Sequence, residues 1–274
     1  MDSVTLPPLD LKTWQPTRDT LHTYSKLLGQ IRRALTPFQE NWWHISLHAG
    51  RTGPVTPPIP TPEQKTFSVG LNLVEHALVI SLPGEGEGRR PLQNQSPRLL
   101  CNWTLDVLNK AGIEPQIDRS LFDDARIFPY VPSHAETYRA ALDGVNRVFE
   151  HFKSTLAGKT SPVQLWPHHF DLSVVWFSGR EAVVPEGEEG GQEQIGFGFS
   201  TGDEGIPEAY FYANPWPVPK GVLDVPLPGE AVWHTTGWTG GLLRYNALAR
   251  SPEPAAVLLN FLETVHRRSV ALMK

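Results

Sequence analysis

Ser161-Pro162-Val163-Gln164-Leu165-Trp166-Pro167-His168-His169-Phe170-Asp171-Leu172-Ser173-Val174 is the stretch on which the reading of the fold turns. Its apolar residues read as a buried strand running on to Phe177, yet two histidines and an aspartate stand within it. Ionisable groups in such a segment cost free energy unless they are paired, act as ligands or face a wet cavity. Strand alternation puts Phe170, Leu172 and Val174 on one face and His169, Asp171 and Ser173 on the other. The stretch is therefore the first candidate for a site, although it identifies no reaction.

To either side lie helices and further strands. A first helix is predicted from Arg18 to Leu35, where Leu21, Tyr24, Leu28, Ile31 and Leu35 recur at helical spacing. A second opens at Ser96-Pro97, a capping residue followed by proline at the first helical position, and stops at Gly112. A third starts at Ser133, with Glu136 completing a capping box, and ends at Gly158. A fourth starts near Ser251-Pro252 and buries Val257, Leu258, Phe261, Leu262 and Val265. Strand-like runs cover 41–48, 67–73 and 77–82 between the first two helices. Others cover 164–177, 195–200, 210–214 and parts of 231–245 between the last two. Pro185 to Gln194, rich in Gly and Glu, reads as a solvated, mobile loop.

The halves run alike. Leu82-Pro83-Gly84-Glu85 is echoed by Leu227-Pro228-Gly229-Glu230, and Ser96-Pro97 by Ser251-Pro252. Trp43-His44-Ile45-Ser46-Leu47 aligns position by position with Phe170-Asp171-Leu172-Ser173-Val174. Chance and common turn chemistry can produce any one of these identities; their shared order points to a repeat. The expected fold is α+β, an antiparallel sheet with helices mainly on one face. It comprises two pseudo-repeated halves of helix, three strands and helix, at 1–125 and 126–274, within one compact unit. The 26 Pro and 23 Gly, in runs such as Pro54 to Pro60, argue against the strand-helix alternation of a parallel sheet.

Composition narrows the function classes. With 40% hydrophobic and 19% charged residues, the chain reads as an ordinary globular protein able to bury a large core. The net charge is -5 and the 24 basic residues are scattered, so no nucleic-acid partner is expected. No apolar run approaches membrane-spanning length, so no membrane partner is expected either. Cys101 is the only cysteine, set among Leu99, Leu100 and Trp103, and reads as a buried, inert thiol in a reducing compartment. Without a basic, apolar leader in residues 1–8, the expected location is the cytoplasm.

On the strand reading, His44, Ser46 and His48 share a polar face in the first half, equivalent to His169, Asp171 and Ser173 in the second. His44, His169 and Asp171 are the candidate catalytic residues, with His169 or His44 as a general base oriented by Asp171. The same three side chains could hold a divalent metal with an open position, the one cofactor the sequence suggests. No His-Glu-x-x-His or zinc-finger spacing accompanies them. His48, Tyr210, Tyr212, Trp216 and Arg180 are candidate ligand-binding residues. Core packing explains most of the aromatics, with stacking on a ligand the minority reading, and a surface ion pair is the first reading of Arg180. Gly196 and Gly198 clear side chains from one strand face and leave room for a ligand, but form no nucleotide loop. His168 falls on the opposite, packed face.

Glu40-Asn41-Trp42-Trp43-His44, Ser161-Pro162-Val163, Phe170-Asp171-Leu172, Phe177-Ser178-Gly179-Arg180 and Tyr210-Phe211-Tyr212 resemble a family known as domain of unknown function 5996. The resemblance runs from Trp14 to the last helix and implies no substrate or mechanism. Within it His44, Asp171 and Arg180 match, while some members differ at His168 and His169, which makes His44 and Asp171 the first pair to test. Two functions follow as expectations. One is a small-molecule binder or enzyme with a His- and Asp-lined aromatic cleft between the halves, performing metal-assisted hydrolysis or proton transfer. The other is a non-catalytic module for a protein partner or for homo-oligomer formation.

Overall fold

The computed structural model describes residues 4–61, 63–84, 86–182 and 190–273. In chain order its elements begin with α1 (Leu11–Leu35), a 3₁₀ helix (Glu40–Ile45), β1 (His48–Gly50), β2 (Gly53–Val55), β3 (Ile59–Pro60), β4 (Thr66–Asn72), β5 (Ala77–Leu82) and β6 (Gly86–Pro91). Next come α2 (Pro97–Lys110), a 3₁₀ turn (Arg119–Phe122), α3 (Pro132–Thr155), β7 (Lys159–Thr160), β8 (Gln164–Trp166), β9 (Asp171–Glu181), β10 (Gln192–Ser200) and β11 (Tyr210–Trp216). A 3₁₀ turn (Val222–Asp224), β12 (Val232–His234), β13 (Gly240–Arg244), α4 (Tyr245–Ala249) and α5 (Pro254–Leu272) complete the chain. The fold is α+β, with antiparallel sheets and helices packed on them, as the sequence pattern implies.

The chain divides into two compact units. One comprises Lys12–Asp143 and Gln164–Phe170. Its antiparallel sheet runs β1-β2-β4-β5-β6, with β3 beside β4. Val69 pairs with Ile80 and Leu71 with Leu78, and all four are fully buried. Trp103 and Val107 of α2 stand over Gly88 of β6. The Ser96 hydroxyl caps α2 by accepting the Leu99 N–H at 3.2 Å, and Pro97 fills the first helical position, where no N–H is needed. Leu11 and Trp14 extend the apolar stripe of α1 upstream of Arg18. Trp14 stacks on Tyr138 at 5.2 Å, and that burial starts the helix earlier than the pattern from Leu21 suggests.

The other unit comprises Met1–Leu11, Gly144–Val163 and Asp171–Lys274. Its strands are ordered β12-β13-β11-β10-β9-β7, all antiparallel. Leu172, Val174, Ile195, Phe197, Phe199, Phe211 and Ala213 occupy one face in register, buried. Phe152 of α3 meets Phe197 edge-on at 4.9 Å, and Phe261 and Val265 of α5 lie over Gly241. Ser173, Gly198, Tyr210 and Tyr212 look out from the opposite face.

Several expected elements take another form. Residues 41–45 of the expected strand 41–48 are not extended: Glu40–Ile45 is a 3₁₀ helix in which Asn41 and Trp42 have φ of 53° and 60°, and only His48 of that run joins β1. Local bonds displace a ladder there. Ser46 N–H donates to the Trp43 carbonyl, and the Gln39 N–H donates to His44 Nδ1. His44, Ser46 and His48 therefore share no strand face. The run 164–177 is broken by the turn 167–170, closed by Phe170 N–H on the Trp166 carbonyl at 2.7 Å with Phe170 at φ 60°. His168 and His169 lie in this turn, and the match of 43–47 to 170–174 has no common conformation behind it. Glu136 closes no capping box; its carboxylate takes His76 Nε2 at 3.2 Å. Residues 192–194 of the expected loop belong to β10, and 183–189 lie outside the described residues.

One consequence of the 167–170 turn is measurable. His22 stacks on Phe170 at 5.4 Å and bonds through Nε2 to the His168 carbonyl at 2.9 Å. Burial, with Lys26 adding to it, lowers His22 from its ordinary 6.5 to about 4. The folded state thus holds His22 neutral. Its contribution is full above pH 6.5 and is lost as pH falls toward about 4, where the unfolded chain takes up the proton first. The urea midpoint is expected to drop across that window, and His22→Gln to flatten the drop. An unchanged pH profile in the variant would remove His22 from the account.

Candidate functional site

Asp171 is the first residue of β9 and is buried. Tyr212 lies on β11, two strands away, with Gly198 of β10 paired to Tyr212 on one side and to Ser173 on the other. To reach Asp171, the Tyr212 ring crosses β10. A Cβ at residue 198 would lie 2.0 Å from Tyr212 Cζ and 2.2 Å from Oη, so only glycine leaves the path open. Tyr212 Oη then donates to Asp171 Oδ2 at 2.5 Å, and Ser173 also bonds the phenol oxygen. Burial of the hydroxyl, followed by the Asp171 charge, pushes Tyr212 well above the usual phenol range.

A second pair repeats the arrangement two residues along the strand. Tyr210 Oη donates to Asp203 Oδ2 at 2.7 Å, and Ser200, its register partner on β10, bonds the same oxygen. Asp203 Oδ1 accepts the N–H groups of Gly205 and Ile206 at 2.8 and 2.9 Å, which fixes the loop before β11. Burial raises the Tyr210 pKa, and Asp203 raises it further. Trp238 lies parallel to Tyr210 at 6.4 Å and edge-on to Tyr212 at 6.3 Å, with His234 4.5 Å from the indole. Asn214 Oδ1, over Gly196, is buried and has no donor among the described residues.

The remaining candidates are placed as follows. His44 is buried and stacked on Trp42 at 5.4 Å. Burial first, then the charges of Arg32 and Arg33, lowers its pKa. His44 and Asp171 belong to different compact units. His48 is exposed at the start of β1, and His169 is exposed with its ring 4.4 Å from His168. Arg180 is engaged by Glu193 Oε1 through Nε at 3.1 Å and a terminal nitrogen at 2.5 Å, the ion-pair reading of that residue. Trp216 is half-buried, its ring near Gly191. Among the described residues no three His, Cys, Asp or Glu side chains gather as a metal centre requires, and His44, His169 and Asp171 form no such set. Cys101 is buried, and burial raises its thiol to about 11.

Sequence reasoning missed both pairs: Tyr212 lies two strands from Asp171, which leaves no spacing signal, and Asp203 sits in the irregular loop before β11, where no periodicity places it against Tyr210. The trace they did leave is the alternation of Gly196 and Gly198 beside an aromatic strand.

The family model for DUF5996, a family of unknown function, matches residues 6–274, and the chain belongs to that family. No curated protein and no solved structure matches it.

Gly198→Ala is expected to lower stability by about 1–3 kcal/mol, because the tyrosine must leave its path across the strand. Gly196→Ala should cost clearly less, since it meets only the end of the Asn214 side chain. Urea denaturation of both variants checks this; equal midpoints would contradict the crossing.

Proposed function

We propose that the chain binds a small molecule bearing an N–H donor, such as an amine, on the polar face of the β9-β10-β11 sheet. The observation that carries this reading is Asn214 Oδ1, a buried acceptor with no donor among the described residues. It stands two positions along β11 from Tyr212, on a face whose other polar ends are the carboxylates of Asp171 and Asp203. Unfilled buried acceptors are costly, and a ligand N–H would satisfy this one. Trp238, Tyr210 and Tyr212 supply flat aromatic surface beside it, suited to the apolar or cationic part of such a ligand.

Recognition is better supported than acid-base catalysis. Burial and the paired carboxylates keep the protons of both tyrosines in place, so neither phenol serves as a base near neutrality. The alternative of a docking module presenting Trp216 and Trp238 has less behind it, because both indoles are half-buried against the protein's own residues.

Calorimetric titration with benzylamine, and with benzyl alcohol as the uncharged control, tests the proposal. Benzylamine should bind saturably and more tightly than the alcohol. Trp238→Ala and Asn214→Leu should each weaken it by roughly 3-fold to 10-fold, the range of one lost contact. Absence of binding, or affinity indifferent to both variants, would sink the reading.

A further inference from the structure

The C-terminal turn of α1 carries an arginine where its apolar stripe should continue. Arg32 follows Leu28 by four residues and is only 7% exposed. One of its terminal nitrogens donates to the Ser46 carbonyl and, at 3.1 Å, to Ser46 Oγ. No carboxylate pairs with the guanidinium among the described residues, and its other N–H groups have no acceptor there. Burial alone lowers its pKa, to about 10. A buried guanidinium with only neutral partners carries a desolvation cost of several kcal/mol that a neutral donor to the Ser46 carbonyl would avoid.

Further groups converge on the same place. Ser46 Oγ bonds Gln164 Oε1 at 2.7 Å, while Gln164 Nε2, in a side chain 1% exposed, has no acceptor among the described residues. His44 feels the charge of both Arg32 and Arg33, and Arg33 lies 5.7 Å over the Trp42 ring. Trp42 and Phe38 are exposed by 51% and 68% and meet edge to face at 5.5 Å. The left-handed conformations of Asn41 and Trp42 cost on the order of 1 kcal/mol each, strain that persists only where the surroundings enforce it.

We propose that Arg32, Gln164 and the Trp42–Phe38 surface form a binding site for an organic oxyanion, a carboxylate or phosphate ester carrying a flat apolar group. The anion supplies the counter-charge that Arg32 lacks and the acceptor that Gln164 Nε2 lacks. The flat group lies on Trp42. This site is built from other residues than the sheet-face site and stands or falls independently of it.

The test is titration at low salt, followed by tryptophan fluorescence and calorimetry, with benzoate, phenyl phosphate, inorganic phosphate and neutral benzamide. Benzoate or phenyl phosphate should saturate below about 10 mM, and benzamide should bind at least about 10-fold more weakly. The tighter of the two anions identifies the source of the oxyanion, and either result supports the site. Arg32→Met should abolish binding in a variant shown to be folded by circular dichroism. Trp42→Ala should weaken benzoate and phenyl phosphate but leave inorganic phosphate unchanged. If Arg32→Met does not fold, Gln164→Leu takes its place, with an expected loss of about 3-fold to 10-fold. The proposal is overturned if neither organic anion binds, if benzamide binds as well as benzoate, or if the substitutions leave affinity at the wild-type value.

Discussion

The Tyr212 phenol reaches Asp171 only across a residue without a side chain, and the register of three strands follows from that crossing. Gly198 must stand opposite both Tyr212 and Ser173, and a slip of one residue would put Phe197 or Phe199 in the path. The same slip would turn the buried row of Leu172, Val174, Phe197, Phe199 and Phe211 out toward solvent. Apolar burial on one face and a hydrogen bond on the other therefore select the same pairing. The hydrogen bond adds about 1 kcal/mol net; its larger effect is the penalty on alternatives that would leave Asp171 without its phenol.

The two polar pairs on this sheet, Tyr212–Asp171 and Tyr210–Asp203, differ in how their carboxylates are held. Asp203 is tied into its own loop by two backbone N–H groups, so Tyr210 closes a structural knot. Asp171 begins a strand immediately after a turn that ends in the left-handed Phe170. In the other unit the exceptional group is a cation, Arg32, which lies within an otherwise apolar helix face. Both sheet pairs obey the rule that buried polar groups are hydrogen-bonded; Arg32, a buried cation among neutral partners, departs from it, and such a departure is where function is best sought.

Much of the architecture was legible. Ser96-Pro97 and Gly112 bound a helix because capping and proline geometry are local effects, and Ala77–Leu82 is a strand as its residue pattern reads. The glycine alternation at 196 and 198 did mark a strand face stripped of side chains, but the Tyr212 ring and the Asn214 side chain fill the space over it. The site was less legible. Trp43, Ile45 and Leu47 alternate as a strand would, yet the Ser46 N–H returns to the Trp43 carbonyl and the His44 ring captures the Gln39 N–H, closing a 3₁₀ helix. Pro167 and Phe170 likewise turn a continuous apolar run into a corner, which removes His169 from the face assigned to it. Periodicity describes which residues want burial; it does not say whether a polar side chain will compete for the backbone.

The sequence by itself determined the α+β class, the antiparallel pairing, most helix boundaries and the family to which the chain belongs. Those properties follow from interactions between residues close in the chain, or from the summed preference of apolar residues for burial. Only the tertiary structure decided which polar groups meet. Tyr212 and Asp171 are 41 residues apart, and Ser46 and Gln164 are 118 apart. Contacts of that separation are set by strand register and packing, and a hydrogen bond operates over a few ångströms, so no pattern in the chain announces it.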